Sequence, residues 1–186
     1  MEHFFQDIQG WSDRLTQLYD FVLPQLPKNC QIVESGVWVG RSTAFLAVEL
    51  INRGHQFKLV SVDHWQGAEL TDNEKEYYSK ELETRDPYQE FLTNIEPVKD
   101  HIQICKMSSL DAAKLFDDQS FDFVVIDDDH SYTGALNNIS AWIPKVKSGG
   151  FVSGDDFDWP GVEQAVRELF GDRFSTIGGA AWYIQL

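Results

Sequence analysis

The 186-residue sequence predicts an α/β fold in which a mostly parallel sheet is covered by helices and finished by a C-terminal antiparallel hairpin. Three observations predict it. Short apolar runs alternate with stretches of helical period, the pattern of strand–helix–strand units. The run at 121–126 is almost wholly apolar, as suits a strand covered on both faces. Near the C-terminus, two strand-like runs at 174–177 and 182–186 are separated only by Gly178-Gly179 and two alanines. That gap cannot hold a helical crossover, so the two runs form a hairpin.

The elements follow in order. Trp11, Leu15, Leu18 and Val22 recur at helical spacing, and Pro24 and Pro27 end that helix, giving an N-terminal helical segment over 1–28. A strand at 31–34, a turn at 36–40 and a helix at 43–52 closed by Gly54 come next. Strands are expected at 57–62 and 101–105, with helical residues at 110–116. After the fourth strand at 121–126, Ala135, Ile139, Trp142, Ile143 and Val146 mark a helix. Gly149-Gly150 leads into a fifth strand at 151–153. Pro160 opens a helix at the position proline prefers, and Gly171 closes it. Residues 64–87 are long, charged and aromatic. They leave the carboxyl end of the second strand, where ligands bind in open α/β sheets, and are read as a lid or substrate loop. With no repeat and no second core, 1–186 is read as one domain.

Composition narrows the function. The formal net charge is -15. Neither a phosphate backbone nor an anionic membrane suits so acidic a chain, so neither nucleic acid nor membrane is expected as a partner. No run of 18 apolar residues is present, and the first residues lack a secretory pattern, so the chain is read as cytoplasmic. Cys30 and Cys105 lack metal-ligand spacing and are read as reduced core residues.

Two clusters carry chemistry. The first strand ends in Glu34-Ser35-Gly36, and Gly36 and Gly40 make a GxxxG turn into a helix rather than the GxGxxG that cradles a pyrophosphate. The second strand ends in Asp63-His64-Trp65. Asp63 is placed to accept from ribose hydroxyls, and Trp65 to offer a face to adenine. A rim of Glu34, Asp63 and Asp127 repels a pyrophosphate and suits a cationic cofactor, with Ser42 at a helix start for a lone carboxylate. The second cluster is Asp127, at the end of strand four, with Asp155 and Asp156 at the end of strand five. Three converging carboxylates call for a cation, and a hard ion such as Mg²⁺ fits oxygen ligands. His130 follows three residues after Asp127, where an imidazole could take a proton from an acceptor hydroxyl.

From Ile32 to about Phe170 the chain resembles Rossmann-like class I S-adenosylmethionine-dependent methyltransferases. The likeness is to the small family that includes metal-dependent sugar O-methyltransferases of natural-product pathways. Residues 33–42, 61–67, 121–132, 149–150 and 154–156 carry it. The resemblance implies a seven-stranded sheet with helices on both faces. It implies cofactor contacts at Glu34, Gly36, Trp38, Ser42, Asp63, His64, Trp65, Ser108, Ser109 and Asp127. It implies a metal on Asp127, Asp155 and Asp156, and catalysis by His130 with Asp127. Asp128 stands where the family usually has glycine. The acceptor so implied is a small hydroxylated molecule, and a homo-oligomer stays open. A metal-independent methyltransferase, a non-catalytic cofactor-binding domain and an NAD-linked oxidoreductase are the competing readings.

Overall fold

A computed structural model describes residues 1–67 and 82–186. The strands are β1 (Asn29–Ser35), β2 (Gln56–Asp63), β3 (Ile102–Lys106), β4 (Phe121–Ile126), β5 (Val146–Gly154), β6 (Ser175–Ile177) and β7 (Ala181–Gln185). They form one seven-stranded sheet in the order β3-β2-β1-β4-β5-β7-β6. All pairs are parallel except those made by β7, which runs antiparallel to both β5 and β6. The expected C-terminal hairpin is therefore present, with Gly178 and Gly179 at positive φ in its turn.

The helices are α1 (Asp13–Val22), α2 (Arg41–Asn52), α3 (Pro87–Asn94), α4 (Ser109–Ala113), α5 (Tyr132–Trp142) and α6 (Pro160–Phe170). Strand side chains alternate between two cores, as the period of two requires. Ile32, Leu59, Phe123, Val125 and Phe151 pack with Leu15, Leu18, Leu46 and Phe91 from α1, α2 and α3. Val33, Val60, Val124 and Val152 pack on the opposite face with Ala112, Ile139, Trp142 and Val166 from α4, α5 and α6. Every residue of β4 is buried, which accounts for its unbroken apolar run. Because β1 lies between β2 and β4, the connections leaving β1 and β4 diverge, and a crevice opens at their carboxyl ends.

Two expectations are corrected, and one helix is added. Val146 begins β5 instead of continuing a helix: α5 ends at Trp142, and a 3₁₀ turn containing Pro144 intervenes. Trp11 precedes α1, which starts at Asp13, and is 70% exposed. Helix α3 lies within a stretch left unassigned; Asp86 caps it by accepting from Gln89 N, and Pro87 occupies its first turn. Most of the expected lid at 64–87 lies outside the described residues. Among the described residues no helix is long and apolar enough to cross a membrane.

Candidate active site

A cavity of about 770 Å³ occupies the crevice at the carboxyl ends of β1, β2, β4 and β5. Its wall is built from the turn between β1 and α2, the residues after β2, β4 and β5, and residues 9–14 of the N-terminal segment.

The β1–α2 turn is shaped by a close approach. Ser35 pairs with Ile126, Asp127 N donates to Ser35 O at 2.8 Å, and Gly36 sits at φ +86°. A Cβ at Gly36 would lie 1.7 Å from the Asp127 carbonyl oxygen, so only glycine fits. Asp63 then clasps the turn. Its Oδ2 accepts from Val37 N at 3.1 Å and Trp38 N at 2.9 Å, and its Oδ1 accepts from Trp65 N at 2.6 Å. Three bonds to a carboxylate with about four acceptor directions leave one for a ligand hydroxyl. Burial nevertheless pushes the Asp63 carboxyl up, and the three amides oppose it.

Of the residues expected as cofactor contacts, Gly36, Trp38, Ser42, Asp63, His64 and Asp127 line the cavity. Four other expected contacts do not line it. Glu34 is fully buried below, accepting from Tyr19 Oη at 2.8 Å and from Thr43 Oγ1. Burial raises its pKa against the hydroxyls of Thr43, Ser42 and Tyr19. It anchors α1 and α2 to β1 instead of rimming the cavity. Trp65 is buried against Tyr88 and Phe91, with its Nε1 donating to Trp38 O at 2.6 Å, so its ring is part of the core. Ser109 Oγ meets Ser35 Oγ at 2.8 Å and accepts from Trp142 Nε1 at 2.9 Å inside the opposite core. Ser108 caps α4 through Asp111 N.

The acidic cluster forms the other end of the cavity. One ligand atom from each of Asp127, His130 and Asp156 lies within 4.8 Å of the others. His130 Nε2 is 2.9 Å from Asp156 Oδ2 and 3.8 Å from Asp127 Oδ1. Both ring nitrogens of His130, and Asp155 Oδ1, are nevertheless buried without a properly aligned hydrogen bond. His130 thus joins the converging set where the sequence reading placed Asp155, which lines the cavity beside it. Asp156 holds φ +56°, a left-handed backbone that re-aims its carboxylate. Burial alone would lower the His130 pKa, but Asp127 and Asp156 outweigh it and push it up to about 10. Burial and Asp127 push Asp155 up to about 7. Converging carboxylate and imidazole ligand atoms, with Asp155 Oδ1 left unpartnered beside them, are what a site for a divalent cation presents, so the residues fit such an ion.

Some cavity residues carried no functional signal in the sequence. Arg14 reaches over the acidic cluster to Asp158 at 3.1 Å and Asp156 at 3.5 Å. Trp159 lies 4.9 Å from the His130 ring. Arg41 donates to the carbonyls of Phe5 at 3.0 Å and Ile8 at 2.6 Å and to Ser12 Oγ at 3.2 Å, pinning the N-terminal segment against the start of α2. These contacts span 29 to 36 residues, beyond the reach of local patterning.

Asp128 offers a test of the local field. Burial and the neighbouring Asp63 push its carboxyl up to about 6. In the unfolded chain an aspartate titrates near ~3.9. Between these values the folded state holds a proton that the unfolded state has released, so stability falls as pH rises, and the full cost persists above the folded value. Asp128→Asn should therefore raise Tm at pH 8 by roughly 3 °C and leave it unchanged below pH ~4. Thermal denaturation at the two pH values measures this; equal Tm values at pH 8 would refute the buried charge.

A cofactor-sized crevice with a clasped glycine turn, beside an acidic centre, defines a group-transfer site on a doubly wound sheet. Residues 33–157 match the methyltransferase domain family, and the chain belongs to it. Its fold is that of class I S-adenosylmethionine-dependent methyltransferases. No curated protein matches the sequence. Among solved structures, it is similar to the O-methyltransferase NovP, with TM-score 0.64 and 20% identity over 92% of this chain and 77% of that one. It is similar to CalS11, a TDP-rhamnose 3′-O-methyltransferase of calicheamicin biosynthesis, with TM-score 0.59 and 16% identity over 91% and 77%. A Clostridium thermocellum protein described as an rRNA methylase matches with TM-score 0.59 and 15% identity over 96% and 100%. At these identities the likeness is one of fold.

Proposed function

We propose that this methyltransferase O-methylates a small hydroxylated acceptor, a sugar or natural product, with a divalent cation such as Mg²⁺ at the acceptor end of the cavity. The carrying observation is the convergence of Asp127, Asp156 and His130 at one end of the cavity that Gly36, Ser42 and Asp63 line at the other. S-adenosylmethionine, when bound, supplies a methyl group on a cationic sulfur. The turn at Gly36–Trp38 receives it closely, Ser42 at the start of α2 suits its carboxylate, and the remaining acceptor direction of Asp63 suits a ribose hydroxyl. The acidic wall favours a positively charged donor over a pyrophosphate.

A bound divalent cation would supply Lewis acidity and lower the pKa of a hydroxyl beside it. Asp127 and Asp156 would hold it, with Asp155 adding charge behind them. Burial opposes the charged ring, but Asp127 and Asp156 push the His130 pKa up to about 10, and a cation held between those carboxylates would offset their field. His130 Nε2, beside Asp127 and Asp156, is placed to accept the proton of an acceptor hydroxyl. The convergence of Asp127 and Asp156 beside His130 supports the metal-dependent reading over a metal-independent one in which His130 works alone.

The net charge of -15 favours a small acceptor over a nucleic acid. The fold is shared with a protein described as an rRNA methylase, so RNA belongs in the acceptor panel. Calorimetry with S-adenosylmethionine and its demethylated product should show binding. Methyl transfer to polyols, sugars and catechols should require added Mg²⁺ and stop with chelator. Binding without transfer to any acceptor would favour a non-catalytic role, and transfer undiminished in chelator would remove the metal. Trp11, exposed on the cavity wall, is assigned to the acceptor. Trp11→Ala should raise the acceptor KM about tenfold and leave cofactor affinity unchanged; an unchanged acceptor KM would clear Trp11 of that role.

A further inference from the structure

Behind the acidic cluster lies a second void of about 10 Å³, walled by Ile126, Ala135, Ile139 and Val162 together with His130, Asp155 and Trp182. The last three each bring a buried polar atom without a partner: His130 Nδ1, Asp155 Oδ1 and Trp182 Nε1. Trp182 is 1% exposed and pairs with Gly154 across β5 and β7. A Cβ at Gly154 would lie 2.8 Å from the indole nitrogen, so glycine there lets that nitrogen approach the residue preceding Asp155. An unsatisfied buried N–H or carboxylate oxygen costs about 1–3 kcal/mol, and native interiors seldom tolerate three together. A volume of ~10 Å³ accommodates one water centre, and two to four polar partners hold such a water in place.

We infer that this void is a single-water site through which Trp182 positions the catalytic cluster. The hydrogen bonds balance. The water accepts from Trp182 Nε1–H and from His130 Nδ1–H, and donates to Asp155 Oδ1. Nδ1 thereby donates to the water, which holds the ring with Nε2 toward Asp127 and Asp156. Trp182 is a positioning residue, acting through the water on His130 and Asp155. The water's presence is independent of methyl transfer, while its effect on turnover rests on the function proposed above.

A high-resolution crystal structure of the wild-type protein should show one ordered water within about 3.2 Å of all three atoms. An empty void, or a protein atom bonded to Trp182 Nε1, would overturn the assignment whatever the chain catalyses. Trp182→Phe keeps the buried ring and removes the donor. It should lose the water and lower kcat about tenfold at unchanged cofactor KM. Wild-type kcat in that variant would overturn the positioning role. Should the variant fail to fold, the wild-type density decides.

Discussion

Gly36→Ala should yield a protein with Tm lowered by roughly 10 °C and no measurable affinity for S-adenosylmethionine. The added Cβ would stand 1.7 Å from the carbonyl oxygen of Asp127 and 2.4 Å from its carbonyl carbon. Both are backbone atoms, so no side-chain rotation relieves the clash. Asp127 N is itself bonded to Ser35 O, and strands β1 and β4 pair up to that point. Separating them breaks the bond that places Asp127, while retaining it strains the turn held by Asp63. The left-handed backbone adds about 1–2 kcal/mol and overpacking about 1–3 kcal/mol. Gly54→Ala is the control, because Gly54 has φ +69° and nothing within 4 Å of a built Cβ. It carries the backbone cost without the clash and should retain binding. Denaturation and calorimetry on both variants decide the matter: a Gly36→Ala protein matching the Gly54→Ala protein in Tm and affinity would mean that β1 and β4 do not meet as described.

That contact illustrates what the sequence disclosed and what it hid. Gly36 was legible as a turn glycine because it follows an apolar run and precedes a helix. Its actual constraint, the Asp127 carbonyl 91 residues later, was not, since only the sheet order brings the two together. The strands were legible wherever burial on both faces removed polar residues, as in β4. The end of α5 was not, because Val146 has the helical spacing but lies beyond Pro144. Among cavity-lining residues, those at strand carboxyl ends were legible because topology fixes where strands end. Glu34, Trp65 and Ser109 carry suitable chemistry at suitable positions, yet each is consumed by contacts across the core. Trp11 was read as part of the helical period and Arg14 carried no signal, because a helix start reveals its period but not the edge of the sheet to which it returns. Three consecutive aspartates looked alike in sequence and differ in space: Asp127 joins the converging set, Asp128 lines the cavity, and Asp129 accepts from Ser131 N at 2.8 Å at the start of α5.

That separation sets up the second large effect. Asp127→Asn should lower kcat by on the order of 100-fold or more while the protein remains folded. The substitution is nearly isosteric and leaves the bond from residue 127 N to Ser35 O intact. It removes the charge that, with Asp156, holds the His130 proton and would hold a cation. The His130 pKa, pushed up to about 10, should therefore fall, since one of its two carboxylate partners becomes neutral. For a raised histidine, the stabilising contribution is complete below the unfolded value near ~6.5 and is lost as pH rises through the folded one. The variant's stability relative to the wild type should accordingly be lowest below pH ~6 and rise toward the alkaline end, where removing the buried Asp127 charge, whose carboxyl burial pushes up, acts in the same direction. NMR titration of the His130 ring reads the shift without reference to turnover. Asp129→Asn separates charge at the site from folding of the loop. Its carboxylate supports the turn into α5, so it should cost stability and keep kcat within about threefold. If both variants lost turnover equally with His130 titrating as in the wild type, the defect would lie in the loop, and Asp127 would have no chemical role.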